Sequence, residues 1–270
     1  MSNIMTFIPI YWTNMAATDY EVPAIRRAHD ILRALAAQRG PLRAAELARA
    51  CAMPRSSLYL LLDSLVQRRW VDRAGDGYVI GLELMALGAA YLRHDGLQAA
   101  FRAAAAEFVE RHNEVMQLAV LDGAEVVYLA REDARRPVRL VSELGSRLPA
   151  HACALGKALL ASLPDDTLAA ALPPQLAAVS ERTQTDRATL LRELAQVRAE
   201  GLAYDREEVA AGLHCYAACV GETALGKRVA VSASVPADRL DPAHVQAVTQ
   251  GVRRAARAIA ARVALAPEAR

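Results

Sequence analysis

The chain has 270 residues, 54% of them apolar, and a net charge of +2. That is material for two folded cores rather than one, and it excludes a disordered chain. Residues 24–95 hold eleven Arg against seven Asp and Glu, whereas residues 96–270 balance at 21 of each, an asymmetry that fits a small nucleic-acid-binding module joined to a neutral partner domain.

The apolar run Ile4 to Trp12 is about half the roughly 20 residues of a membrane span, and no basic segment precedes it. Residues 1–23 read as a flexible N-terminal arm, or in part as sequence upstream of a start at Met15. Four cysteines, Cys51, Cys153, Cys215 and Cys219, lack a Cys-x-x-Cys spacing. A reduced, cytoplasmic protein without a membrane segment is the expectation.

From Ile25 an apolar stripe (Ile25, Ala28, Ile31, Leu32, Leu35) keeps helical spacing until Arg39-Gly40-Pro41 ends it. A short helix over Ala44–Ala50, a turn through Cys51-Ala52-Met53-Pro54 and a third helix from about Arg55 to Arg68 complete a helix-turn-helix pattern. Trp70–Arg73 and Tyr78–Ile80 are short strands about Ala74-Gly75-Asp76-Gly77, where the Asp-Gly pair signals a hairpin. The unit at residues 24–81 is therefore a winged helix-turn-helix. Residues 82–96, with Leu82, Leu84, Leu87, Tyr91 and Leu92, continue as an apolar linker helix suited to packing on a second subunit.

Residues 97–265 alternate differently. A helix over Leu97–His112 leads to β-rich runs at Val115–Leu121, Glu125–Arg131 and Val138–Val141. Helices follow at Ala154–Ala161 and Arg187–Glu200, strands at Ala203–Asp205, Leu213–Val220 and Arg228–Val235, and a closing helix from about Pro242 to Leu265. The fold class is α+β, with one antiparallel sheet flanked by helices.

In a winged helix the third helix enters the major groove N-terminus first. Arg55, Ser56, Ser57, Tyr59 and Leu60 are then placed to meet DNA, while Leu58, Leu61, Leu62 and Leu65 face the core. Arg55 can grip guanine or a phosphate, and Ser56 and Ser57 can cap the helix or bond to backbone oxygens. Arg27 at the start of helix one and Arg73 on the wing supply candidate phosphate contacts.

In the rear domain Ser232 and Ser234 alternate along VAVSASV and share one strand face. Gly156 and Lys157 open an apolar helix and read as a structural turn before they read as ligand contacts; His151 reads as a hydrogen-bonded structural residue. Asp205-Arg206-Glu207-Glu208 reads as a solvated charged turn. Catalysis is not expected, because His214 and Cys215 are adjacent on a strand and point to opposite faces, and no Gly-x-Ser-x-Gly elbow exists. None of the six histidines sits at a ligand spacing such as i, i+4, so neither a metal nor another cofactor is expected.

Two long stretches carry a family resemblance: GSRLPAHACALGKALLA from Gly145 to Ala161, and GLAYDREEVAAGLHCYAACV from Gly201 to Val220. Behind the front module they resemble the IclR-type transcriptional regulators over about residues 24–262. The resemblance implies a GAF-like α/β effector-binding domain behind the winged helix, with the backbone at Ala154 and Leu155 and the side chains of Asp205, Cys215, Ser232 and Ser234 forming the effector site. It also implies a homodimer or dimer of dimers, a homotetramer, that binds a palindromic double-stranded DNA operator, as a repressor or an activator, and answers to a small organic or aromatic acid. Arg131 and Arg147 are further candidates near that cavity. Two departures stand out: Leu60, where the family usually carries Arg, and Cys219-Val220, where many members have Pro-Val. The alternative reading is a cysteine-based redox-responsive regulator, although Cys215 and Cys219, at i, i+4 along a strand, lie roughly 13 Å apart and cannot bridge.

Overall fold

The computed structural model describes residues 21–93, 96–136, 140, 142–224 and 226–263. The proposed arm, apart from residues 21–23, lies outside them. The chain divides near residue 95 into two compact units.

The front unit contains α1 (Pro23–Ala36), α2 (Ala44–Ala50), α3 (Arg55–Gln67), β1 (Val71–Ala74), β2 (Gly77–Ile80) and α4 (Leu82–Arg93). Its core is a single cluster of Ile31, Leu35, Leu47, Met53, Leu58, Leu62, Leu65, Val71 and Tyr78. Leu58, Leu62 and Leu65 recur at three- and four-residue steps, so one stripe of α3 is buried and the opposite stripe is left to solvent. The wing pairs Val71 with Ile80 and Ala74 with Gly77. The positive φ of its turn falls on Gly75 (60°), the first central residue, and not on the glycine of the expected Asp-Gly signal, which suits a Gly-first two-residue hairpin turn. Gly77 belongs to the strand. It lies so close to α2's lead-in that an added Cβ would stand 2.9 Å from Pro41 Cβ, while Tyr78 and Leu42 exchange backbone hydrogen bonds that tie the wing to this loop.

The rear unit runs α5 (Leu97–His112), β3 (Val115–Asp122), β4 (Glu125–Glu132), β5 (Arg147–Pro149), α6 (Ala154–Ala161), α7 (Asp165–Ala171), α8 (Arg187–Glu200), β6 (Ala203–Arg206), β7 (Leu213–Glu222), β8 (Arg228–Pro236) and α9 (Pro242–Ala260). Its six strands form one antiparallel sheet in the order β5-β4-β3-β8-β7-β6. The period-two alternation gives each face its own core. Met116, Leu118, Val231, Ala233 and Val235 pack with α5 and α9, whereas Ala119, Tyr128, Ala217 and Ala230 pack with α6 and α8.

Sequence and structure part in three places, and one expected strand is not tested. The strand expected at Val138–Val141 falls largely outside the described residues. Strand β5 and helix α7 were not expected, since three strand residues and seven helix residues are too short to show a period. The closing helix stops at Ala260, five residues before the expected Leu265.

Candidate functional sites

The exposed side of α3 carries Arg55, Ser56, Tyr59 and Leu60, with Ser57 half-buried. Leu60 is 75% and Tyr59 49% exposed, a large apolar offering to water on a short helix. Neither serine caps the helix. Pro54 takes the N-cap position without a side-chain cap, because the helix starts at Arg55 and leaves both serines inside its first turn, where their hydroxyls stay available. Arg27 is exposed on α1. Arg73 extends from the wing, lies 3.2 Å from Asp63 on α3 and stands over the Tyr78 ring.

In the rear unit the strand register assembles a polar row. Asp205 on β6 stands opposite Cys215 on β7, which stands opposite Ser234 on β8; the next row aligns Ala217, Ser232 and Gln117. These side chains, except Ala217, line one small cavity together with Ala154 and Leu155 from the first turn of α6. The space open to water there is about 20 Å³, room for about one water.

Helix α6 reaches this cavity because Gly156 lets it come close: a Cβ at Gly156 would collide with the Ala150 carbonyl. Cys153 occupies the N-cap, its Sγ accepting from Gly156 N–H at 3.4 Å and its carbonyl from Lys157 N–H. Ala154 and Leu155, which line the cavity, belong to the first turn, whose N–H groups no intrahelical carbonyl can reach.

The charged run behind the row is not a solvated turn. Asp205 and Glu208 are buried because Lys157, fully buried on α6, donates to Glu208 at 2.6 and 2.7 Å and to Glu193 of α8 at 2.8 Å. Asp205 accepts the Glu208 N–H at 2.7 Å. Burial first, and then the neighbouring Glu208 carboxylate, push its carboxyl up from 3.8 to about 7, against the pull of the Glu208 N–H. His151 donates through Nε2 to the Ala177 carbonyl at 2.9 Å.

Arg147 and Arg131 do not line the cavity. Arg147 is held by Asp122 and, at 3.0 Å, by Glu125, and Arg131 by Asp133 at 2.5 Å, so nearer carboxylates claim both. Gln117, Tyr128, Ser142 and Cys153, which also line it, were missed. Gln117 was the legible one, a lone amide in the apolar run VMQLAV. It donates to Ser142 Oγ at 2.7 Å. Cys215 Sγ lies 3.3 Å from Ser234 Oγ. Burial pushes the Cys215 thiol well up, and Cys153 to about 12, which suppresses the thiolate that oxidation needs and weighs against redox sensing. Among the described residues no cluster of His, Cys, Asp and Glu is placed to hold a metal ion, and no helix is long and apolar enough to cross a membrane.

Residues 24–75 match the IclR helix-turn-helix domain and residues 89–261 the bacterial transcriptional regulator IclR C-terminal domain. The chain belongs to the IclR family of transcriptional regulators. It is therefore a regulator and not an enzyme, built from the family's DNA-binding and effector domains. It is 34% identical over 81% of its length to the HTH-type transcriptional regulator Rv1719 of Mycobacterium tuberculosis, of which it covers 84%. With the transcriptional repressor IclR of Escherichia coli it shares 29% identity, covering 82% of each chain. The crystal structure of an IclR homolog from Microbacterium hydrocarbonoxydans complexed with 4-hydroxybenzoate superposes with a TM-score of 0.77 at 26% identity, over 88% of this chain and 98% of that one.

Proposed function

We propose that this IclR-family regulator represses transcription as a dimer, or a dimer of dimers, on a palindromic operator, and that a small organic or aromatic acid bound between α6 and the Asp205–Cys215–Ser234 row releases it. Arg55, Ser56, Ser57, Tyr59 and Leu60 would read the major groove, with Arg27 and Arg73 on phosphates. The front module (residues 24–81), linker helix (82–96) and effector domain (97–265) divide the work. Leu82, Met85, Leu87 and Tyr91 on α4 are 57, 71, 50 and 44% exposed, an apolar face suited to a second copy of the helix.

One observation carries the effector reading: the first turn of α6 and the buried hydroxyls of Ser232 and Ser234 line one cavity. Carboxylate oxygens accept from first-turn N–H groups and from hydroxyls. Asp205 opposes a second anionic group, so a monoacid bearing a hydroxyl or carbonyl suits the site better than a diacid. A guest larger than water must widen a cavity of about 20 Å³, since ordinary ligand pockets hold about 300 Å³ or more. Binding and rearrangement are thereby one event, and an effector that prefers the widened form shifts the population of DNA-competent dimers.

Thermal-shift screening of monocarboxylic acids, 4-hydroxybenzoate among them, tests this on the full chain. An effector should raise the Tm of the wild type with a logarithmic dependence on concentration, raise it less for Ser232→Ala, and weaken operator binding in parallel. A panel without a hit, or hits that ignore the substitution, would remove the site from consideration.

A further inference from the structure

On the other face of the sheet α5 and α9 leave a groove between them of about 250 Å³. Phe108, Arg111 and His112 of α5 and Gly251 and Arg254 of α9 line it, with Glu107 at its edge. Three features distinguish it from an ordinary seam between helices. His112 is only 8% exposed, yet among the described residues its ring makes no hydrogen bond; its one ring contact is Phe108, at 4.7 Å between centroids. Neither ring nitrogen is enclosed without a partner, so the polar edge of the ring is open to the groove.

The charge around that ring is lopsided as well. Arg254 and Arg111 flank it and His244 is close by, and burial together with these groups holds the imidazole below its ordinary value. Glu107 supplies the one carboxylate in the lining, and it is engaged with Arg111 at 3.0 Å. Arg254 has no ion pair or hydrogen bond among the described residues. Finally, a missing side chain lets α9 come close to the two rings that line the groove. A Cβ on Gly251 would stand 2.6 Å from His112 Nε2 and 2.8 Å from Phe108, closer than such contacts allow.

We infer that the α5–α9 groove is a second binding site, distinct from the α6 cavity, for a small monoanion with a flat apolar body. The anionic head sits between Arg254, Arg111 and the His112 ring, and the body rests on Phe108 and Gly251. A carboxylate or other oxyanion offers the acceptor that Arg254 lacks among the described residues. The aromatic face and the glycine floor favour a planar body over a bare ion.

Imidazole resonances of the intact protein, with His112 assigned through His112→Gln, test the site. The probes are benzoate, its uncharged analogue benzamide, and sulfate. Benzoate should shift the His112 signals saturably at millimolar concentration and raise their titration midpoint, because an adjacent anion favours the imidazolium. Benzamide should do neither, and sulfate should act more weakly. Arg254→Gln, a change at an exposed position, should weaken the benzoate response about fivefold, whereas Ser232→Ala in the α6 cavity should leave it unchanged. A response absent up to millimolar benzoate, shared by benzamide, or undiminished in Arg254→Gln overturns the proposal. So does a change of oligomeric state in Arg254→Gln without any anion, which would make the groove a contact between copies.

Discussion

Asp205 concentrates the electrostatic tension of the effector domain. Its carboxyl is buried beside Glu208 and titrates near 7 instead of 3.8, so between these values the folded chain holds a proton that the unfolded chain has released. Stability conferred by that proton is complete below about pH 4 and is lost as the pH rises to about 7. Asp205→Asn keeps an acceptor for the Glu208 N–H without the charge. Its melting temperature should match the wild type near pH 4 and exceed it above pH 7, where the gain is on the order of 2 to 4 kcal/mol. An equal offset at both pH values would show that the carboxyl does not titrate in this window. Such a residue was legible as a candidate from its motif but not in its burial, because the lysine that shelters its neighbour Glu208 comes from α6, some fifty positions earlier in the chain.

At the scale of elements, α3 was readable because its leucines repeat at helical spacing, and the exposed stripe follows from the buried one. What it offers a duplex is unusual: Leu60, three-quarters exposed, stands where an arginine contact to guanine or phosphate would be expected. An apolar side chain in the major groove finds its partner in the thymine methyl. Replacing one thymine of the operator half-site by uracil should therefore weaken wild-type binding several-fold in a mobility-shift titration and leave Leu60→Ala unaffected, while Leu60→Arg should bind all duplexes more tightly with a salt slope steeper by about one. Indifference of the wild type to every such methyl would place Leu60 outside the groove. The rear sheet was readable for the same reason as α3, through alternation; β5 and α7 were not, being too short to show a period. Gln117 and Tyr128 are not legible as cavity residues because only the pairing of β3 with β4 and β8 brings them to the cavity that Ser232 lines, and Ser142 is not because it comes from the connection between β4 and β5 and meets Gln117 only in the fold.

The whole molecule consists of two units with separate cores, and under the proposed function α4 is the surface by which copies would join. Met85, 71% exposed, tests that role: Met85→Glu should yield monomers in sedimentation velocity and reduce affinity for a two-half-site operator on the order of 100-fold, with single half-sites little changed. Retention of the dimer would move the interface elsewhere. Lys157 has a consequence of its own. By gripping α8 through Glu193 and the β6–β7 connection through Glu208, it adds a buried polar clamp to the apolar packing of α6 on α8, so that a guest displacing the first turn of α6 would also move a helix that does not line the cavity.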